Sequence, residues 1–187
     1  MKLSLDHIDA LVFDFDGVLK DNTVFLNEDG KEWVRCNRGD GLAFNDLEKL
    51  GVKSYIISSE TNKVVLARAN KLNVPALCGI SNKVVVARAN KLNIPALIGI
   101  TNKVEELQKL CASEGLDLSR VFYIGNDLND FQAMKICGFS ACPADSHPKI
   151  KEIATFKLNT NGGMGIVREI LEDLLKQDIM TTVFRDI

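Results

Sequence analysis

"IDALVFDFDGVLKDN", residues 8–22, passes from an apolar run into a cluster of carboxylates. Residues 8–15 read as a short strand buried on both faces, with Asp14 and Asp16 at its C-terminal end. The two acids are spaced i, i+2, so on extended backbone their side chains leave the same face and lie close together. Like charges so placed are unfavourable without a cation, and their oxygens suit magnesium, which keeps several waters and takes one or two carboxylates. Gly17 then permits a sharp exit from the strand with backbone amides turned toward an anion.

Outward from this stretch the chain alternates strands and helices. Residues 23–37 carry two β-rich segments around Glu28-Asp29-Gly30, a hairpin signal. "GDGLAFNDLEKLG" follows as an amphipathic helix stopped by Gly51, and "KSYIIS" (53–58) as a second strand ending on Ser58. Further on, "NKVEELQKLCASEG" reads as a helix, "RVFYIGND" as a strand, "DFQAMKICG" as a helix and "FSACPA" as a strand. The glycine-rich "NTNGGMGIVREILEDLLKQ" turns into a last amphipathic helix. This alternation argues for an α/β domain, a doubly wound parallel sheet covered on both faces.

Between these parts lies a duplication. "NKVVLARANKLNVPALCGIS" (62–81) is followed at once by "NKVVVARANKLNIPALIGIT" (82–101), identical at sixteen of twenty positions. Each copy holds a helical part and, after its proline, a short apolar part, so the unit is one helix and one strand. Two full copies are too few for a solenoid, which leaves a local duplication inside a single domain spanning 1–187.

Composition narrows the function. A net charge of −2 offers no basic field for nucleic acid and no polybasic patch for a membrane. No apolar run nears the roughly 18 residues of a membrane span, and acids interrupt the N-terminus where a signal peptide needs an apolar core, so the expected location is cytoplasmic. Five cysteines without a C-x-x-C pair point to reduced, structural thiols. The tripeptide Arg38-Gly39-Asp40 is too short to carry weight as a receptor-binding motif.

In an open α/β sheet, ligands bind beyond the carboxyl ends of the strands. Asp14 and Asp16, Ser58, a lysine after the repeat strand, and Asn126 with Asp127 all fall at such ends. Carboxylates, a hydroxyl, a lysine and magnesium together describe phosphoryl transfer. Alone, each of these residues would read as a cap or a turn. His147, in "DSHP", reads as a turn residue capping structure rather than as a base.

"VFDFDGVLKDN", "IIS", "NK" and "IGNDLND" resemble, in order, the four motifs of the haloacid dehalogenase superfamily. "NRGDGLAF", "SSETN", "ARANKL", "PADSHP" and "GGMGIVREI" resemble its capless branch, which includes 3-deoxy-manno-octulosonate 8-phosphate phosphatases and the phosphatase-like domains of sialic acid cytidylyltransferases. The resemblance implies a magnesium-dependent sugar-acid phosphatase with Asp14 as nucleophile and Asp16 as acid and base. Ser58 and a lysine would act on the phosphoryl group, and magnesium would sit on Asp14, the Asp16 carbonyl and Asn126. Gly17, Ser59 and Asp130 are expected to contact substrate. It also implies a homotetramer built through the hairpin, with a neighbour's tail closing a site that has no cap domain.

Asn126 departs from the family, which has an acid there, and an amide should weaken the ion site. The departure admits a rival reading, a catalytically weak domain kept for assembly in a sialic acid cytidylyltransferase system. Among the equivalent lysines Lys63, Lys83 and Lys103, the last is favoured because the segment after it has the usual crossover length. That choice expects the strand just before Lys103 to hold the third place in the sheet, with Lys83 as the alternative.

Overall fold

A computed structural model describes residues 3–29, 32–59, 63–78 and 102–180. Its centre is strand β1 (Ala10–Phe13), every residue of which is buried. Alternation along β1 sends Leu11 and Phe13 into one core and Ala10 and Val12 into another. A strand buried on both faces has no room for polar positions, which is why the sequence here is continuously apolar.

After β1 comes a hairpin of β2 (Phe25–Leu26) and β3 (Glu32–Trp33), paired antiparallel. Helix α1 (Gly39–Lys49) ends where Gly51 takes a φ of +74°, and leads into β4 (Lys53–Ser58), parallel to β1. Helix α2 (Lys63–Leu72) and β5 (Ala76–Cys78) follow, and β5 pairs with β4. Helix α3 (Lys103–Glu114) is capped by the Asn102 side chain, which accepts from the N–H groups of Val104 and Glu105, and closes on Gly115. It leads to β6 (Val121–Ile124), on the other side of β1. Helix α4 (Phe131–Ile136), β7 (Phe139–Cys142), helix α5 (Pro148–Ile153) and β8 (Phe156–Lys157) extend the sheet outward. Helix α6 (Ile166–Glu169) runs into one π-helical turn, Ile170–Leu174.

Among the described residues, six strands of one sheet stand in the order β5-β4-β1-β6-β7-β8, all parallel. Helices α1, α2 and α6 pack on the face of Leu11 and Phe13, where Phe13 and Phe44 meet edge to face with centroids 5.2 Å apart. Helices α3, α4 and α5 cover the other face. This is the doubly wound arrangement, and the direction of winding reverses at β1.

One expectation fails. The place beside β4 belongs to Ala76–Cys78 of the first repeat copy, not to the strand before Lys103. A helix start is not tied rigidly to the strand that precedes it, so the sheet place and the lysine are separate questions. The second copy, with Lys83, lies outside the described residues.

Arg38-Gly39-Asp40 is no exposed recognition loop. Asp40 is buried, and its Oδ1 accepts the Val167 N–H at 3.0 Å, tying α1 to the start of α6. Among the described residues, Cys36, Cys111, Cys137 and Cys142 are free thiols, and no helix is long and apolar enough to cross a membrane.

Candidate active site

The site sits at the carboxyl edge of the sheet where the winding reverses, as the topology requires. Asp14 is the first residue beyond β1, and its N–H donates to the Ile124 carbonyl at 2.8 Å, so β6 fixes its height above the sheet. Its carboxylate is buried, with Oδ1 2.8 Å from Lys103 Nζ. The same ammonium lies 2.7 Å from Asp130 Oδ1. Asp130 is fully buried and also accepts from the Tyr123 hydroxyl at 3.0 Å and from the N–H groups of Asn126 at 2.9 Å and Asp127 at 3.3 Å.

Asp130 therefore stands behind the site rather than in it. Both of its oxygens are occupied by the protein, and the expected contact with substrate gives way to a holding role: Asp130 orients Lys103 and closes the loop after β6. Tyr123, which holds Asp130 in turn, was not singled out from the sequence. The available signal was a hydroxyl inside a buried strand, which needs a partner.

One ammonium between two buried carboxylates leaves an excess negative charge. Burial, then the neighbouring Asp130 charge, pushes Asp14 up to about 7 against the pull of Lys103. Burial alone would lower the Lys103 pKa, but the two carboxylates outweigh it and its net shift is upward. The lysine thus stays charged, and the excess calls for a further cation.

Asn126 supplies a matching donor. Its side chain is buried, and its Oδ1 has no hydrogen-bond partner. An unpartnered buried amide oxygen is costly unless a ligand uses it. Its amide lies against Gly17, which turns at a φ of +76°. Among the described residues no three of His, Cys, Asp or Glu converge on a metal-sized point. One carboxylate with an amide oxygen fits a hard cation that keeps most of its waters, which is magnesium's habit. The residues present fit such an ion, with Asp14, Asn126 and the Asp16 carbonyl as candidates to hold it.

The remaining candidates line the same edge. Ser58 ends β4, just beyond the register pair Phe13 and Ile56, and is buried. Ser59 is exposed, and its Oγ accepts from Asn129 Nδ2 at 3.2 Å, linking the loops after β4 and β6. Asp16 is partly exposed, with Oδ1 2.7 Å from Lys20 Nζ. Gly17 also meets the glycine-rich turn, since a Cβ on Gly162 would lie 2.1 Å from the Gly17 carbonyl oxygen. His147 caps α5, its Nδ1 accepting the Lys149 N–H at 3.2 Å.

Comparison with known proteins agrees with this fold. The model of the haloacid dehalogenase-like hydrolase family matches residues 77–170. A 3-deoxy-D-manno-octulosonate 8-phosphate phosphatase of Yersinia pestis is 30% identical over 173 residues, 92% of this chain and 82% of that protein. An N-acylneuraminate cytidylyltransferase of Oncorhynchus mykiss is 27% identical over 165 residues, 88% of this chain but 34% of that protein. A 3-deoxy-D-manno-octulosonate 8-phosphate phosphatase of Moraxella catarrhalis, crystallised with magnesium, phosphate and KDO, superposes with a TM-score of 0.69. It is 29% identical, with 91% of this chain and 87% of that one covered. The chain belongs to the haloacid dehalogenase-like hydrolase family.

Proposed function

We propose that this phosphatase hydrolyses a sugar-acid phosphate through a phosphorylated Asp14, with magnesium in the site. The observation that carries the reading is Asp14 held at 2.8 Å by Lys103 in a buried cluster with excess negative charge. The unpartnered Asn126 Oδ1 on the adjacent loop supports the cation.

In the first step the Asp14 carboxylate attacks phosphorus, the bond from phosphorus to the sugar oxygen breaks, and Asp16 gives that oxygen its proton. Lys103, anchored by Asp130, opposes the charge that develops on the phosphoryl oxygens, and Ser58 at the end of β4 donates to them. In the second step Asp16 takes a proton from water, which attacks phosphorus, releasing phosphate and restoring Asp14. The bound cation supplies charge neutralisation that favours the ionised, nucleophilic form of Asp14.

The substrate class comes from the similarity to the octulosonate 8-phosphate phosphatases, with N-acylneuraminate 9-phosphate and its deaminated analogue as further candidates. Assembly into a homotetramer through the hairpin completes the reading, because the described residues include no cap domain to exclude water from the site. Phosphate release is to be measured on the three substrates with magnesium and after chelation. Turnover on one of them that stops with chelation, and in Asp14→Asn, is expected. Inactivity on all three would favour the assembly role that the cytidylyltransferase similarity suggests.

A further inference from the structure

We infer that Lys20 is a positioning residue for proton transfer: it clamps one oxygen of Asp16 and joins that clamp to the root of the hairpin. The inference rests on the reading of Asp16 as acid and base.

Lys20 follows Asp16 by four residues in "DGVLK", and its side chain is 4% exposed. Its ammonium lies 2.7 Å from Asp16 Oδ1 and donates to the carbonyls of Asp21 at 2.9 Å and Thr23 at 3.2 Å. An ammonium has three N–H donors, and three acceptors match them, so none is left for a substrate carboxylate or phosphate. Lys20 therefore acts on other protein groups, not on the ligand.

Asp16 is placed differently. Its side chain keeps 30% of its surface exposed, and no described residue bonds its Oδ2. A carboxylate that must give a proton to one oxygen atom and take it back from another needs a fixed orientation and one free oxygen. Lys20 provides the first and leaves the second. Small misplacements of such a group are expensive, on the order of 10²-fold in rate for about 1 Å.

The clamp is itself anchored. The Asp21 carboxylate accepts the Thr23 hydroxyl at 2.6 Å and bonds Arg35 at 2.7 Å, so the two carbonyls that hold Lys20 belong to an ordered turn. From that turn the chain enters Phe25–Leu26, the first strand of the hairpin. The Gly163 N–H donates to the Val18 carbonyl at 2.8 Å, closing the same loop from the other side. A displacement at the hairpin's root thus reaches Asp16 through one ammonium.

The test compares leaving groups. A sugar alkoxide needs a proton as it leaves, whereas nitrophenolate leaves without one, so a fault confined to the acid shows only on the first. First-turnover release is measured for the sugar-acid phosphate and for p-nitrophenyl phosphate. Lys20→Met is expected to slow release of the sugar by about 10²-fold, with KM and nitrophenolate release changed by less than about threefold. Lys20→Arg keeps a buried charge in place and should show the same asymmetry at smaller size. Adding Lys20→Met to Asp16→Asn should cost little more than Asp16→Asn alone. Equal losses on both leaving groups in Lys20→Arg, full activity of Lys20→Met, or an undiminished cost of Lys20→Met in the Asp16→Asn background would overturn the inference. Full activity of Asp16→Asn, or an inactive wild type, would overturn the underlying reading first and this inference with it.

Discussion

The side-chain amide of Asn126 presses against Gly17 so closely that a β-carbon on that glycine would lie 2.0 Å from Asn126 Nδ2. The loop after β1 is therefore shaped around the amide, and the oxygen of that amide is the atom left unpartnered. If a cation uses that oxygen, Asn126→Asp adds a full negative charge to the ion's surroundings and should lower the magnesium concentration for half-maximal activity. A titration of activity against magnesium measures this. No change, or a rise, would remove Asn126 from the ion's surroundings.

Lys103 offers a sharper contrast. Lys103→Ala leaves Asp14 and Asp130 buried without their counter-ion, which should cost about 3–5 kcal/mol of stability and nearly all turnover. Lys83→Ala should retain both. Thermal melts and phosphate release on the two variants give the comparison, and a large loss of turnover in the Lys83 variant alone would reassign the role.

Much of this site was legible in the sequence because β1 is a short, continuously apolar run that ends abruptly on carboxylates. That break puts Asp14 and Asp16 at one strand end, and the alternation of elements puts Ser58 and Asn126 at neighbouring ends. What was not legible depended on three-dimensional saturation. Asp130 looked like a substrate contact, and only the positions of Lys103, Tyr123 and two backbone amides show that its oxygens are already taken. Nothing local in "DGVLKDN" marks Lys20 as buried, and only its three acceptors in the structure reveal its place. The repeat misled in a different way: two nearly identical helix and strand units compete for one place beside β4, and no local preference separates them. Strand β8 and helix α5 were missed because two and six residues are too few to show a period, although Pro148 directly after His147 was a start signal.

Asp40 makes stability depend on pH. Burial pushes its pKa from 3.8 up to about 6, against the hydrogen bond from Val167. The folded protein then holds this proton more tightly than the unfolded chain, so stability is fullest below about pH 4 and falls as pH rises toward 6. The loss is on the order of 3 kcal/mol. Asp40→Asn keeps an acceptor for the Val167 N–H and removes the titration, so its unfolding free energy should lack that slope. Denaturant titrations between pH 4 and 7 that run parallel for the two proteins would contradict the assignment.

The hairpin presents Phe25, Leu26 and Trp33 to solvent, each more than 60% exposed. Apolar residues clustered this way favour contact with another chain. A homotetramer is expected in sedimentation, and Trp33→Glu should shift it to smaller species with a parallel loss of activity. An active wild-type monomer would contradict this part of the proposal.

The central claim is that Asp14 becomes phosphorylated during turnover. Acid-quenching the enzyme during turnover of a sugar-acid phosphate and reducing the product with borohydride converts an aspartyl-phosphate to homoserine, which peptide mass spectrometry locates. The account predicts homoserine at position 14, dependent on substrate and magnesium and absent in Asp14→Asn. Rapid phosphate release with residue 14 unlabelled under these conditions, or with the label on another carboxylate, would contradict it.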